Sequence, residues 1–196
     1  LPDLEQVFLN ECTVDNEAMA AFREEMRSQY KVVWTVRLGP SIALATDKDN
    51  FMPNHFGVGQ LPDSYAYNLR YCEEMVCLDV GHMTLTDISF VEYMPNLKYL
   101  ILAWTEVQYI EPIRSCKNLV FLELAYCGHI SDVSALKGCT SLAHINLSYT
   151  KVSDISPLYE LPLEQLCAVK SKIQWSSWEK ILEVRPNCSI RYDGSQ

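Results

Sequence analysis

Residues 97–118 read LKYLILAWTEVQYIEPIRSCKN, and residues 119–141, LVFLELAYCGHISDVSALKGCTS, repeat their pattern. The same opening phrase begins five units, at Met75, Leu97, Leu119, Leu142 and Leu163. Successive starts lie 22, 22, 23 and 21 residues apart, and the one extra residue falls in a turn at Gly128-His129. A fixed period of this length is typical of stacked repeat proteins, so each unit is predicted to form one coil of a solenoid.

Apolar residues occupy positions 1, 4 and 6 of each unit, followed by a small or soft residue at position 9 and an aliphatic residue near position 11. This is the leucine-rich repeat pattern, in which every coil contributes one short strand and one helical or 3₁₀ return. We therefore predict an α/β fold, a right-handed leucine-rich repeat solenoid. A curved parallel sheet is expected on its concave side and short helical or 3₁₀ returns on its convex side.

The phrases that follow the strands narrow the class of repeat. DISPL at residues 154–158 is echoed by DISFV at 87–91 and by YIEPI at 109–113. With the period of 22, these phrases resemble the internalin-like subclass of bacterial leucine-rich repeat proteins. The resemblance covers about residues 68–192. It implies a bacterial protein of the cell surface or exterior, with contact to host or neighbouring cells as one role.

The ninth position departs from that family, in which it is usually an Asn that bonds the backbone of the neighbouring coil. Here the position holds Met83, Thr105, Cys127, Thr150 and Ser171. Thr and Ser hydroxyls supply part of the same bonding, but a Met thioether does not. The first unit is therefore expected to be less regular than the others.

Terminal segments must cover the apolar ends of a solenoid. We assign residues 1–70 to an N-terminal cap, 71–173 to the repeats and 174–196 to a C-terminal cap with a helix, an edge strand and a tail, all in one structural domain. The N-terminal cap is expected to begin with a helix over about 15–29, capped by Thr13 or Asp15. A strand over 32–38 with one buried side and a second short strand near 42–44 are expected to follow. The cap is then expected to end in an ordered loop over 47–62 and a degenerate first coil over 66–72.

The charge balance limits the class of partner. Lys and Arg total 16 against 25 Asp and Glu, a net charge of −9, which disfavours nucleic acid and anionic membrane surfaces. No apolar run reaches the roughly 20 residues that span a bilayer, so no membrane insertion is predicted. The chain begins at Leu1 without an apolar leader, as expected of a trimmed or mature form, and a monomer is expected.

Eight cysteines raise the question of disulfides. Cys72, Cys116 and Cys139 each stand three residues before a unit start, where another unit has Met94, so they are expected to be stacked, buried side chains. No CxxC pair occurs, which disfavours a structural zinc site. Most cysteines are therefore predicted to be reduced, although a Cys12–Cys72 bridge is geometrically conceivable.

Positions 3, 5 and 8 of each unit are predicted to face outward from the concave sheet and its rim. The candidate binding residues at these positions are Tyr99, Ile101, Trp104, Phe121, Glu123, Tyr126, His144, Asn146 and Tyr149. Because neighbouring coils are about 4.8 Å apart, the aromatic members are expected to form a continuous exposed ladder. Tyr and Trp offer large contact area at small entropy cost and dominate interface hot spots.

The predicted function is a non-enzymatic protein- or peptide-binding module that uses this aromatic concave face, in a secreted or cell-surface protein. Asp79 and Glu123 are expected to favour basic or hydroxyl-rich partners. Three alternatives stay open. In the first, the aromatic residues only stabilise the sheet. In the second, the domain is an intracellular, cytoplasmic scaffold within a larger chain, and in the third it binds glycans through Trp104, Tyr126 and Tyr149.

A Cys-His-Asn hydrolase is a remote alternative, because Cys167, His144 and Asn146 fall in adjacent coils. Cys167 and His144 with Glu123 are also a candidate metal-binding set. A shallow sheet encloses little, however, and no Gly-rich turn aims amides at an oxyanion. We therefore predict no catalytic site, no metal and no cofactor.

Overall fold

A computed structural model describes residues 4–9, 15–53 and 60–193. Its helices and strands, in chain order, are β1 (Gln6–Leu9), α1 (Asn16–Met26), β2 (Lys31–Arg37), β3 (Ala43–Ala45), β4 (Asn50–Phe51), α2 (Asp63–Ala66), β5 (Cys77–Asp79), β6 (Tyr99–Ile101), β7 (Phe121–Glu123), β8 (His144–Asn146), β9 (Gln165–Cys167), α3 (Trp175–Val184) and β10 (Ser189–Arg191). Strands β4 to β10 form one parallel sheet in sequence order. This is the predicted α/β leucine-rich repeat solenoid.

The strand register follows the repeat spacing of the sequence. Leu100 pairs with Leu122, and Leu122 pairs with Ile145. The residues at the centres of the five repeat strands are all buried, namely Leu78, Leu100, Leu122, Ile145 and Leu166. Together with the equally buried residues of positions 1 and 6, they form one contiguous core along the solenoid. The period therefore places equivalent side chains of successive coils on top of one another.

The chain returns between strands through 3₁₀ turns. In the described residues these are Tyr67–Tyr71, Ser89–Tyr93, Glu111–Ser115, Ser134–Gly138 and Ser156–Leu158. Asp87, Asp132 and Asp154 each accept a hydrogen bond from the backbone N–H two residues later, at 2.8, 2.7 and 2.8 Å. Each carboxylate thus satisfies the first N–H of the turn, which begins two residues after the Asp.

The cysteine row packs behind these turns as predicted. Cys72, Cys116 and Cys139 are fully buried. Burial raises the pKa of Cys72 to about 12, that of Cys116 to about 11 and that of Cys139 to about 12, because a thiolate is poorly solvated there. The cysteines within the described ranges are free thiols. Cys12, the other half of the conceivable bridge, lies outside the described residues.

Hydroxyls at position 9 bond the backbone of their own coil, whereas the sequence analysis predicts bonds to the neighbouring coil. Thr105, Thr150 and Ser171 each donate to the carbonyl three residues earlier, at 2.7, 2.7 and 2.8 Å. The thiol of Cys127 donates to a carbonyl of the preceding coil at 3.1 Å. Met83 is buried without such a bond in the described structure, yet β5 of its unit has the same length and parallel pairing as its neighbours. The irregularity predicted for the first unit is therefore not seen in the sheet.

Helix α1 begins the N-terminal cap. Its capping residue is Asp15, whose carboxylate accepts the N–H of Glu17 at 2.8 Å. Thr13, the other capping candidate, lies outside the described residues. The helix ends at Met26, earlier than predicted, where a turn leads directly into β2.

Side chains from α1 fasten the cap to the first coil. Arg23 donates to the carbonyl oxygen of Tyr71 at 2.9 Å and pairs with Glu73 at 2.5 Å. Its guanidinium also lies 4.8 Å from the ring centroid of Trp34 on β2. One arginine therefore ties together the helix, the cap sheet and the start of the repeats.

The cap sheet has the order β1-β2-β3, with β1 parallel and β3 antiparallel to β2. Strand β3 confirms the predicted second short strand, whereas β1 was not predicted. The expectation that β2 buries only one side is wrong, because Val33 is 1% exposed and Trp34 is 2% exposed on opposite faces. As the central strand of this sheet, β2 is covered on both sides.

The loop predicted over 47–62 is interrupted by β4, which pairs with β5 and adds a seventh strand to the sheet. A two-residue strand has no periodicity of its own, so only its neighbour defines it. Residues 54–59 lie outside the described part of the chain. The degenerate first coil is confirmed, because Ala66, Leu69 and Cys72 are all fully buried.

The C-terminal cap matches the predicted helix and edge strand. Trp178 and Ile181 of α3 are buried, and β10 pairs in parallel with β9. None of the helices in the described ranges has the length and apolarity needed to cross a membrane. The division of the chain at residues 70 and 173 stays a prediction.

Candidate functional site

Side chains at position 8 of successive coils stack just beyond the carboxyl ends of the strands. The ring centroids of Trp104 and Tyr126 are 4.0 Å apart, with 13° between the ring planes. Tyr126 and Tyr149 follow at 4.2 Å and 9°, and His82 lies 5.9 Å from Trp104 at 17°. All four side chains are exposed to solvent. These four residues are called the ring stack below.

The backbone at position 8 is left-handed in every coil. The angle φ is 59° at His82, 59° at Trp104, 63° at Tyr126, 58° at Tyr149 and 57° at Lys170. Glycine adopts this conformation freely, whereas a residue with a Cβ incurs about 1–2 kcal/mol. Each aromatic pair contributes about 0.5–1.5 kcal/mol beyond the area that it buries. Stacking and burial of the ring surfaces therefore offset the backbone strain, so bulky residues are tolerated at a turn where glycine would be unstrained.

Two sets of hydrogen bonds hold the backbone in this shape. At position 5, the side-chain oxygens of Asp79, Glu123 and Asn146 each accept the N–H two residues later, at 3.0 Å in all three coils. At position 8, the N–H groups of His82, Trp104, Tyr126 and Tyr149 donate to a carbonyl of the next coil, at 2.8, 3.0, 2.9 and 2.8 Å. The surrounding coils thus determine the strained turn, as is typical of strain retained at functional sites.

The open face of the sheet continues from the ring stack. At position 3, Tyr99 is 45% exposed and is in register with the half-buried Phe121, which is in register with His144. At position 5, the half-buried side chains are Ile101, Glu123 and Asn146. All nine predicted binding residues thus lie on these three rows with exposed or half-buried side chains. Their role in binding stays a prediction.

The orientation of the rings limits what the stack can contact. Tyr126 has a ring stacked closely on each face, at 4.0 and 4.2 Å, so its free parts are ring edges and its hydroxyl. Trp104 has Tyr126 on one face and the more distant His82 ring, at 5.9 Å, on the other. A side-chain hydrogen bond with Tyr149 raises the pKa of Tyr126 and links the two phenols. Ring edges carry the positive part of the aromatic quadrupole and favour carbonyl oxygens or the faces of other rings. A sugar that stacks on ring faces finds both faces of Tyr126 occupied.

Asp79 is not the surface charge that the sequence predicts. Its side chain is only 9% exposed, and its carboxylate accepts the N–H of Gly81. A short acidic side chain commonly bonds its own backbone two residues on, which stabilises a turn. Asp79 therefore supports the backbone of the first coil instead of offering a charge to a partner.

Glu123 lies near the middle of the open face and remains half-exposed. One carboxylate oxygen accepts the N–H of Ala125 at 3.0 Å, and the other accepts the side-chain N–H of Asn146 at 3.1 Å. Burial raises the pKa of its carboxyl, and these two hydrogen bonds only partly oppose the rise. Among the described residues, the hydrogen-bond partners of this carboxylate are neutral groups.

The contacts do not assemble the Cys-His-Asn set that the sequence allows. The sulfur of Cys167 lies 3.3 Å from the hydroxyl of Ser148, and His144 Nε2 lies 3.6 Å from a carboxylate oxygen of Glu164. Asn146 is engaged by its position-5 hydrogen bonds. Within residues 4–9, 15–53 and 60–193, no group of three His, Cys, Asp or Glu side chains is placed to hold a metal ion.

The sequence reasoning missed the left-handed backbone at position 8. Bulky residues such as Trp104 and Tyr126 rarely have positive φ, so their identity argues against it. The available signal was the recurrence of Asp79 and Asn146 three residues earlier, because Asp and Asn favour turns by bonding their own backbone.

Comparison with known proteins gives one sequence match and a set of structural ones. No protein-family model matches the chain. A probable disease resistance protein of Arabidopsis thaliana is 27% identical over 106 residues. That match covers 52% of this chain and 11% of the plant protein, so the chain spans only a small part of it.

The structural matches include internalins of Listeria monocytogenes. Internalin C2 is 21% identical with a TM-score of 0.57, and the match covers 64% of this chain and 55% of internalin C2. The internalin inlF is 17% identical with a TM-score of 0.58, and the match covers 91% of this chain and 55% of inlF. The chain therefore has an internalin-like leucine-rich repeat fold and spans about half the length of these two structures.

Proposed function

We propose that this leucine-rich repeat chain is a non-enzymatic module that binds a protein or peptide against the open face of its sheet. The fold is that of a protein-interaction repeat, whose long sheet offers a continuous surface. The proposed contact residues are the nine predicted ones, Tyr99, Ile101, Trp104, Phe121, Glu123, Tyr126, His144, Asn146 and Tyr149.

The observation that carries this proposal is the strained and exposed ring stack. Trp104 and Tyr126 have unfavourable φ angles that stacking offsets, and their side chains remain 53% and 39% exposed. Large aromatic side chains left exposed at such positions contribute most when a partner covers them. Stabilisation of the sheet alone, the simpler alternative, explains the stacking but not why about half of the Trp104 surface remains exposed.

A secreted or cell-surface location is part of the proposal. It is supported by the similarity of the fold to two internalins of a bacterium, and a bacterial source is proposed on the same grounds. The match to a small part of a much longer plant protein favours the alternative of a regulatory repeat segment within a larger chain. Glycan binding is the weaker alternative, because stacking occupies both faces of Tyr126 and one face each of Trp104 and Tyr149, the three rings on which a sugar would dock.

The first prediction tests the ring stack with a defined set of ligands. Random peptides displayed on phage are selected on the immobilised chain, and the selected peptides are then measured against the double variant Trp104→Ala/Tyr126→Ala. We expect the double variant to lose the peptides, because a large part of the contact area is removed. Its free energy of unfolding should fall by about 1.5–4.5 kcal/mol, because three ring contacts of about 0.5–1.5 kcal/mol each are lost while the core stays intact.

The matched control is Tyr109→Ala. Tyr109 is the most exposed large aromatic residue of the described chain, at 72%, and lies outside the three rows of the open face. This variant should keep the selected peptides. Peptides that bind the double variant as well as the original chain would contradict the proposal, and so would binding to a glycan array through the ring stack with no peptide binding. Unfolding of the double variant would show that the rings are structural.

A further inference from the structure

We infer that the partner presents an arginine side chain to Glu123, an inference that rests on the proposed function of the open face. Glu123 is the acidic residue of that face whose side chain remains half-exposed, since Asp79 is buried in its turn. It stands on β7, the middle strand of the seven-stranded sheet. A partner that covers the ring stack and the position-3 row therefore also covers this carboxylate.

Two hydrogen bonds fix the orientation of the Glu123 carboxylate and leave some of its lone pairs free. Each of its oxygens accepts one hydrogen bond, at 3.0 Å from the Ala125 N–H and at 3.1 Å from Asn146 Nδ2. A carboxylate has about four lone-pair sites, so about one per oxygen remains. Two acceptor sites side by side match the two parallel N–H donors of a guanidinium.

The charges of the open face favour a cationic ligand. The Lys and Arg side chains on the rows of positions 3, 5 and 8 lie at the C-terminal end of the sheet, away from Glu123. Lys170 is paired with Asp193 at 3.0 Å, and Arg191 stands on β10, three strands from Glu123, or about 14 Å at the usual strand spacing. The chain as a whole carries a net charge of −9. The middle of the face is therefore the place where a positive side chain is attracted.

The neighbours of Glu123 favour arginine over lysine. Ile101 is in register with Glu123 on β6, and Phe121 lies two residues earlier on the same face of β7. These side chains form an apolar surface on which the aliphatic stem and the planar guanidinium of an arginine can pack. A guanidinium is less strongly hydrated than an ammonium group, so it loses less solvation there than lysine would. Burial raises the pKa of the Glu123 carboxyl, so a partner's cation that replaces the lost solvation would stabilise the carboxylate.

The test uses a small probe in place of the unidentified partner. Ac-Gly-Arg-Gly-NH2 is titrated into the ¹⁵N-labelled chain, and its citrulline analogue, which has the same shape without the charge, is titrated in parallel. We expect saturable shifts of the amides of Ala125 and Ser148 with the arginine peptide, and binding at least about tenfold weaker with citrulline. Equal binding of the two peptides, or shifts elsewhere on the chain, would overturn the inference.

Charge-matched variants separate the site from a general attraction to an acidic protein. Glu123→Gln should weaken binding of the arginine peptide at least about tenfold, while Glu92→Gln should leave it unchanged. Glu92 is an exposed carboxylate in the turn Ser89–Tyr93, so its substitution removes the same charge away from the open face. Equal effects of the two substitutions would contradict the arginine site. The citrulline comparison needs no variant, so it decides the question even if Glu123→Gln folds poorly.

The outcomes distinguish this inference from the proposed function. Selected peptides that need Trp104 and Tyr126 but not Glu123 would remove the arginine site and leave the binding module standing. An arginine peptide that binds at Glu123, with no dependence of the selected peptides on the ring stack, would keep the arginine site and overturn the proposed docking face.

Discussion

Trp104, Tyr126 and Tyr149 hold a backbone conformation that suits glycine, with φ between 58° and 63°. Three forces act on each residue: the clash of its Cβ in the left-handed region, the stacking of its ring, and the hydrogen bond of its N–H to the next coil. The first opposes the other two. The backbone strain at each of these residues can therefore be measured by substituting one position at a time.

At the residue scale, we predict an inversion of the usual order of alanine and glycine at position 126. Tyr126→Gly and Tyr126→Ala both remove the ring, but only alanine keeps a Cβ at φ 63°. Tyr126→Gly should therefore be the more stable variant by about 1 kcal/mol in urea denaturation.

The matched control for this pair is Tyr99, which is also an exposed tyrosine but lies in β6 with an ordinary extended backbone. There, Tyr99→Ala should be more stable than Tyr99→Gly, because glycine weakens the interior of a strand. The same order at both positions would mean that the left-handed turn carries no strain.

Between elements, two neighbouring 3₁₀ turns approach each other closely at Gly138. Gly138 ends the turn Ser134–Gly138, and a Cβ built on it would lie well inside contact distance of the Arg114 carbonyl oxygen and 3.1 Å from Arg114 Cγ. Arg114 belongs to the turn Glu111–Ser115 of the preceding coil. The absence of a side chain at Gly138 thus allows these two turns to pack closely.

At the element scale, Gly138→Ala is expected to destabilise the chain by about 1–3 kcal/mol, because a backbone oxygen must move to admit the methyl group. Gly128→Ala is the control, since a Cβ at Gly128 meets no atom within 4 Å. Its effect should stay within about 0.5 kcal/mol. Thermal and urea unfolding of both variants measure the difference. Equal stability of the two would show that the turns can separate at no cost.

The whole molecule is one stack of coils around a continuous apolar core, closed by α1 at one end and α3 at the other. Because the core has no break, the groups inside it become accessible only when coils separate. The buried thiols of Cys72, Cys116 and Cys139 lie in three different coils and therefore report on the integrity of the stack as a whole.

At this scale, we predict that the three buried thiols resist alkylation in the folded chain. Burial raises the pKa of Cys72 and Cys139 to about 12 and that of Cys116 to about 11, so the reactive thiolate is scarce at about pH 8. Labelling by iodoacetamide, followed by peptide mass mapping, should be about a hundredfold slower or more than in concentrated guanidinium chloride. Rapid labelling with an unchanged circular dichroism spectrum would contradict a closed core.

The sequence by itself determined the solenoid, its register and most of its core. In five units with apolar positions 1, 4 and 6, only stacking at a fixed period buries all of these apolar side chains in one core. The capping helices, β3, the degenerate first coil and the exposed rows follow from local periodicity as well. Periodicity, over a few residues or over 22, is a property of the residue order, so it is visible without coordinates.

The tertiary structure alone decided the features that depend on neighbours in space. Strand β4 is defined only by its pairing with β5, and Asp79 is buried by the turn that it supports. The left-handed turns at Trp104 and Tyr126 oppose the intrinsic preference of these residues and persist because hydrogen bonds to the next coil hold them. At these two turns, hydrogen bonds to the next coil outweigh the intrinsic φ preference of Trp and Tyr. The residues that accept these bonds lie about 22 positions away in the sequence.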